Sequence, residues 1–280
     1  MPELPEVQTI AAGVNARVRG DRITSVWLGS KKEPFKTPAS QMQSGLGGRK
    51  ILEVRRVGKH IVVDLGSQNP SGDRGKTVQA QWIVHLGMTG RLLVSSPEAE
   101  KAPHTHATVE LRSGKELRFV DPRRFGRLAY YELGQNEAFK GTGDEPLTVT
   151  PTRFVDIFKG RKTPIKAALL NQKLLQGVGN IYADESLFRA GIRPRRMAGR
   201  LTHAELEKLR VALQTVLREA IALGGSSVSD YVDADGVKGF FQLEHRVYLR
   251  TGEPCLACGE TIRRILIGGR GTHFCPTCQR

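Results

Sequence analysis

All four cysteines of this 280-residue chain lie in its last 26 residues, as Cys255-x2-Cys258 and Cys275-x2-Cys278 with 16 residues between the pairs. A tail of that size cannot bury enough apolar surface to fold alone, so something besides a core must hold it. The N-terminus carries no basic-then-apolar export signal, which argues against disulfides as the staple. Paired thiolates at this spacing predict one tetrahedral four-sulfur zinc site with no open coordination position. Such a centre is structural, and its binding free energy folds the tail.

The rest of the chain reads in two halves. Residues 5–19 place Val7, Ile10, Ala11, Val14 and Val18 at helical spacing, with Pro5 at the start and Gly20 as a stop. Short strand-like runs follow: RITSVWLG, ILEVRRV, HIVVDLG, QAQWIVHLGMTGRLLV, ATVELRS, ELRFVD and GRLAYYEL. Their rhythm predicts an antiparallel sandwich or barrel. The stretch GQNEAFKGTGDEPL breaks that rhythm and marks a boundary near 134–150. Beyond it, helices are expected over 163–175, 180–190 and 202–223. The last opens on the capping box Thr202-x-x-Glu205 and closes at Gly224. The expected division is therefore 1–134, a linker at 135–150, a helical domain at 151–240 and a metal finger at 241–280.

Charge narrows the partners. The chain has 43 Lys+Arg against 28 Asp+Glu, a formal net charge of +15, which favours a polyanion such as nucleic acid. No apolar run approaches the ~20 residues of a membrane span, so a cytoplasmic, nucleic-acid-associated protein is expected, with no membrane partner. Nothing reads as a coiled coil or obligate interface, and the expected state is a monomer without an obligate protein partner.

Several stretches carry chemistry. The opening MPELPEV places Pro2 before an acidic helix start; removal of Met1 would leave a secondary amine at the helix's positive end. In QGVGNIYADESLFRAGI, Gly177 and Gly179 allow close backbone approach to a helix N-terminus, a phosphate-binding arrangement to which Asn180 adds a donor. HLGMTGRLLV and FVDPRRFGRL supply Met88, Arg123 and Phe125, the residue types that enter a base stack when a nucleotide is extruded, or that fill a core. Arg124 reads as a salt-bridge or phosphate residue. His85, His104 and His106 read as structural histidines, and no catalytic metal motif is present.

Taken in series, MPELPEV, the GKH around Lys59, HLGMTGRL, DPRRFG, GVGNIYADESLFRAGI and GGRGTHFCPTCQ closely resemble bacterial formamidopyrimidine-DNA glycosylase from end to end. The resemblance implies an α+β protein: a two-layered β-sandwich with flanking helices, a helix–two-turn–helix domain and a C-terminal zinc finger. It implies a bifunctional glycosylase and apurinic/apyrimidinic lyase acting on oxidised purines in double-stranded DNA. Pro2 would be the nucleophile and Glu3 the catalytic acid. Lys59, Asn180 and Arg270 would hold backbone phosphates, Met88, Arg123 and Phe125 would fill the vacated space, and His104 would touch DNA. Glu6 and Glu185 would order the pocket, and a loop including Ser226, Ser227, Ser229, Asp230 and Tyr231 would cap the flipped base.

The start MPELPE and the long loop after Gly224 favour this family over its endonuclease VIII relative, which prefers oxidised pyrimidines. A non-catalytic zinc protein that binds nucleic acid is a third reading, but it has no use for this N-terminus. Two departures stand out. Asn171-Gln172 replaces a pattern that often has Asp, and Ser229 precedes Asp230 where a basic residue is common.

Overall fold

The computed structural model describes residues 1–69, 77–135, 139–227 and 232–280. Two units emerge: Met1–Lys140 with Gly224–Gly239, and Gly141–Leu223 with Phe240–Arg280.

Helix α1 (Leu4–Val18) opens the first unit and buries Val7, Ile10, Ala11, Val14 and Val18, as its 3.6-residue spacing requires. Eight strands follow: β1 (Ile23–Leu28), β2 (Ile51–Val57), β3 (His60–Leu65), β4 (Ala80–His85), β5 (Arg91–Ser95), β6 (Thr105–Leu111), β7 (Glu116–Val120) and β8 (Arg127–Glu132). They form two antiparallel four-stranded sheets, ordered β1-β6-β7-β5 and β2-β3-β4-β8. Inward residues of both sheets share one core with α1 and with α2 (Ala39–Leu46), among them Trp82, Leu92, Val109, Phe119 and Leu128. This is the expected sandwich, not a closed barrel. Helix α2 has no counterpart in the sequence reading. The long run 79–94 divides into β4 and β5, because Leu86 to Gly90 turn the chain out of the sheet.

The second unit contains α3 (Pro151–Phe158), α4 (Ile165–Leu169), α5 (Asn180–Ala190), α6 (His203–Ala222) and the hairpin β9 (Arg263–Ile267)–β10 (Arg270–Phe274). The capping box at Thr202 and Glu205 is present as expected. The helix expected over 163–175 is a five-residue α4 followed by turns. Asn171 and Gln172 end it: Asn171 Oδ1 accepts the Lys173 N–H at 3.0 Å. Gln172 Oε1 accepts the Gly177 N–H at 2.8 Å, while its Nε2 donates to the Val178 carbonyl at 2.8 Å. Side chains that satisfy nearby backbone in this way compete with the helical ladder. The departure at 171–172 thus has a local use, which is to build the tight turn ahead of α5. Among the described residues, no helix is long and apolar enough to cross a membrane.

Candidate active site and metal centre

In the first unit the N-terminus is tied down by carboxylates. Pro2 is buried immediately before α1. Glu3 caps the helix and exchanges bonds with Glu6: the Glu3 N–H donates to Glu6 Oε2 at 2.8 Å, and the Glu3 side chain receives the Glu6 N–H. Both acids are almost wholly buried. The second Glu6 oxygen, Oε1, accepts the Ser226 N–H at 2.8 Å, so one side chain joins the start of α1 to the segment after Gly224. Ser227 Oγ accepts the Gly239 N–H at 2.9 Å and closes that segment. Ser229, Asp230 and Tyr231 lie outside the described residues.

Lys59 sits half-buried in the two-residue turn between β2 and β3. His60 and His85 are cross-strand partners beside it, with ring centroids 4.8 Å apart. Burial, reinforced by His60, Lys59 and Arg127, pushes the His85 pKa down to about 4; burial also lowers that of His60. His85 Nδ1 accepts the Gly87 N–H at 3.2 Å, a bond that requires the unprotonated nitrogen. A histidine held neutral when folded but free to charge when unfolded costs stability as pH falls below the unfolded value. Unfolding free energy should therefore drop by about 1.4 kcal/mol per pH unit from pH ~6.5 down towards 4 for this residue. Urea titrations at pH 7 and pH 5 check this, and His85→Gln should flatten the difference.

Met88, Arg123 and Phe125 occupy two neighbouring loops. Met88 is 41% and Phe125 48% exposed, so neither is the core residue that composition alone permits. The Arg123 guanidinium lies 4.8 Å from the centroid of the Phe125 ring. Arg124 turns away to pair with Glu33 at 3.1 Å. His104 is exposed with φ +65, whereas His106 is buried and its Nε2–H donates to the Asp121 carbonyl at 3.0 Å.

In the second unit, Gly177 at φ +88 and the cap Gly179 bring the chain to the N-terminus of α5. Asn180 Nδ2 donates to the Gly271 carbonyl at 3.0 Å. That places the helix N-terminus against the hairpin that carries exposed Arg270. One N–H of the Asn180 amide thus serves this hairpin, a task not legible in its sequence context, and among the described residues the second N–H is left over. Glu185 is fully buried, and its carboxylate accepts the backbone N–H groups of Arg246, Val247 and Tyr248 at 2.9–3.0 Å. Burial raises its pKa, and those three N–H groups pull the other way.

Sequence reasoning missed Asp184, which docks the finger hairpin. It is paired with fully buried Lys166 and receives the His273 backbone N–H at 2.9 Å. The signal was faint: an acid in the YADES run, with its partners 18 and 89 residues away.

The four cysteine sulfurs lie within 4.8 Å of one another; Cys255 Sγ is 3.9 Å from Cys278 Sγ, and Cys258 Sγ 3.5 Å from Cys275 Sγ. Sulfurs at the corners of a tetrahedron with Zn–S bonds of ~2.3 Å stand about 3.8 Å apart. The donor set and its spacing therefore fit one zinc ion, with Cys255, Cys258, Cys275 and Cys278 as ligands.

Three family models match the chain. The formamidopyrimidine-DNA glycosylase N-terminal domain covers residues 1–128, the H2TH domain of the same enzyme covers 143–232, and a zinc finger found in FPG and IleRS covers 252–280. Formamidopyrimidine-DNA glycosylases of Solibacter usitatus and Listeria monocytogenes are 44% and 39% identical to it, each match covering 100% of both chains. Among solved structures, Lactococcus lactis Fpg in complex with DNA containing an abasic site superposes with a TM-score of 0.88 at 32% identity, over 99% of each chain. The Fpg protein of Thermus thermophilus gives 0.85 at 41% identity, over 99% of this chain and 98% of its own. Matches of this extent across every segment make the chain a member of the formamidopyrimidine-DNA glycosylase family.

Proposed function

We propose that this protein is a bifunctional DNA glycosylase and apurinic/apyrimidinic lyase of base excision repair. It removes oxidised purines, 8-oxoguanine and formamidopyrimidines above all, from double-stranded DNA. It works as a monomer in the cytoplasm, on the nucleoid. The observation that carries this reading is the buried Pro2 set against the interlocked Glu3–Glu6 pair at the positive end of α1.

Once Met1 is removed, the Pro2 nitrogen is a terminal amine. An α-amine with a pKa near ~8 is roughly a tenth neutral at pH 7, whereas a lysine near ~10.4 is neutral to only a few parts in ten thousand. A prolyl amine is somewhat more basic than other α-amines, which narrows the gap to lysine without closing it, and the helix terminus offsets this by disfavouring the ammonium. The amine attacks C1′ of the damaged nucleoside; the bond to the base breaks, and Glu3 manages the proton that moves with it. The sugar ring then opens as the C1′–O4′ bond breaks, O4′ taking up a proton, and the iminium so formed draws electrons from C2′, which loses a proton. The 3′ phosphate then leaves by β-elimination and the 5′ phosphate by δ-elimination.

The remaining residues position the strand. Lys59 holds the phosphate beside the lesion as a point charge, and Asn180 and Arg270 hold flanking phosphates, with His104 as a further DNA contact. Met88, Arg123 and Phe125 occupy the space that the extruded nucleotide leaves. Glu6 anchors the segment that begins at Ser226 and leads into the lesion-capping loop of Ser227, Ser229, Asp230 and Tyr231, and Glu185 fixes the 246–248 turn. The zinc ion, bound by the four cysteines, supplies structure to the finger. Functionally the chain divides into a catalytic sandwich (1–134), a linker (135–150), a helical DNA-binding domain with the capping loop (151–240) and the finger (241–280).

The test is borohydride reduction during reaction with duplex containing 8-oxoguanine or, in parallel, thymine glycol, without added divalent metal. A covalent protein–DNA adduct is expected, formed faster on 8-oxoguanine. Faster reaction on thymine glycol would reassign the enzyme to oxidised pyrimidines. Binding with neither adduct nor strand nicking would leave only a nucleic-acid-binding protein.

A further inference from the structure

Asp121, the first residue of the DPRRFG stretch, is fully buried and has no part in the roles proposed above. Its carboxylate binds two loops at once. Oδ1 accepts the Thr89 hydroxyl at 2.6 Å and the Arg123 N–H at 3.3 Å, while Oδ2 accepts the Gly126 N–H at 2.7 Å. Its backbone adds a third segment: the Asp121 N–H donates to the His104 carbonyl at 3.0 Å, and its own carbonyl accepts the Arg124 N–H at 3.3 Å. Thr89 follows Met88 directly, and residues 123 to 126 bracket Phe125. One side chain thus holds the loop of Met88 and the loop of Arg123 and Phe125 in fixed register.

The backbones show how closely the two loops fit. Gly87 has φ +64, and a Cβ there would lie 2.5 Å from the carbonyl carbon of Phe125 and 2.6 Å from the nitrogen of Gly126. The loops meet main chain to main chain, where no side chain could cushion a shift. Met88 and Phe125 nonetheless project into solvent. Exposed apolar tips on independent loops would fold back onto the surface; bonds to a buried carboxylate, stronger than neutral ones, hold them outward.

We infer that Asp121 is a positioning residue that makes Met88, Arg123 and Phe125 act as a single rigid wedge on the base stack, with Thr89 as its link to the Met88 loop. The inference rests on the glycosylase reading. Its consequence is a division of labour: pulling a paired base out of the helix works against stacking and pairing and needs the wedge, whereas an abasic site has no base to extrude. Asparagine cannot replace the aspartate, because it offers one acceptor oxygen where donors approach both, and its NH2 would face either the Gly126 N–H or the Arg123 N–H.

The experiment compares single-turnover excision from 8-oxoguanine·cytosine duplex with nicking of a preformed abasic duplex, using wild type, Asp121→Asn, Thr89→Val and Thr89→Ser. Thr89→Val removes only the hydroxyl link and serves if Asp121→Asn folds poorly. Excision should fall roughly ten- to a hundredfold in Asp121→Asn and Thr89→Val, as loss of help against an unstacking cost of a few kcal/mol implies. Abasic nicking should stay within about threefold of wild type, and Thr89→Ser should restore excision. A 2-aminopurine next to the lesion should report unstacking that is slowed in step with excision. Equal losses on both substrates, or no loss on either, would overturn the proposal. If wild type fails to act on either duplex, the glycosylase reading itself fails, and the two failures are separable.

Discussion

Protein that retains Met1 is expected to form no borohydride-trapped adduct and to nick damaged DNA at least about a thousandfold more slowly than trimmed protein, the scale of loss when a nucleophile is removed outright. With Met1 attached, the Pro2 nitrogen is a tertiary amide whose lone pair is delocalised into the peptide bond. It can neither attack C1′ nor form an iminium. Pro2→Gly, after trimming, restores a primary amine but removes the ring that fixes the approach to α1, and it should fall between these extremes. The decisive measurement is the intact mass of the active material together with the mass of the DNA-linked peptide. Active enzyme should begin at Pro2, and the modification should map to that residue. Material with Met1 on every molecule that nicks at full speed would sink the amine assignment. DNA affinity should change little, because the phosphate contacts proposed for Lys59, Asn180 and Arg270 are untouched.

Zinc removal should have the second largest effect. Around the cysteines the buried apolar cluster consists of Val247, Cys255, Ile262 and Cys275, with Phe188 and Cys278 packed against it. A cluster so small cannot offset the conformational entropy of the tail, and structural zinc sites supply on the order of 10 kcal/mol to such folds. Cys258→Ser, or chelation, should therefore unfold the hairpin that presents Arg270. Asp184 would still offer its bonds to His273, and Asn180 its bond to Gly271, but both need the hairpin to be formed. Affinity for abasic-site duplex is expected to fall by about two orders of magnitude, the worth of the phosphate contact proposed for Arg270 and its neighbours. Fluorescence anisotropy with parallel zinc analysis reads this directly. Circular dichroism should show α6 and the rest of the helices retained. Unchanged affinity in zinc-free protein would show that the finger is not part of the DNA grip.

Some elements are plain in the residues and others are not, for local reasons. α1 and α6 carry their own start signals and apolar stripes, α5 is set off by Gly177, Gly179 and Gly191, and both ends of α6 are written in a few residues. α3 carries such a signal too, outside the helices expected from spacing: Thr150 before Pro151, then Phe154, Ile157 and Phe158 on one face. α2 has no comparable signal. Its sequence ASQMQSGL contains Gly45, which propensity counts against a helix. The glycine is there because a Cβ would sit 2.4 Å from the ring of Tyr130, a residue of the distant strand β8. Likewise the run 79–94 has one hydropathy pattern, and it becomes two strands and a turn where Gly87 packs against Phe125 and Gly126.

By itself the sequence determined the sulfur ligands, the family, the amphipathic helices and the alternating strands, because each is encoded in neighbouring residues or in runs that persist as motifs. Tertiary structure alone decided which polar side chain serves which segment. Glu6 reaches Ser226 across 220 positions, Glu185 reaches a turn 61 to 63 residues on, Asp184 reaches His273 across 89, and Asp121 reaches Thr89 across 32. A buried carboxylate must find donors wherever the fold brings them. Its partners are fixed by distance in space, and no local spacing along the chain records that distance.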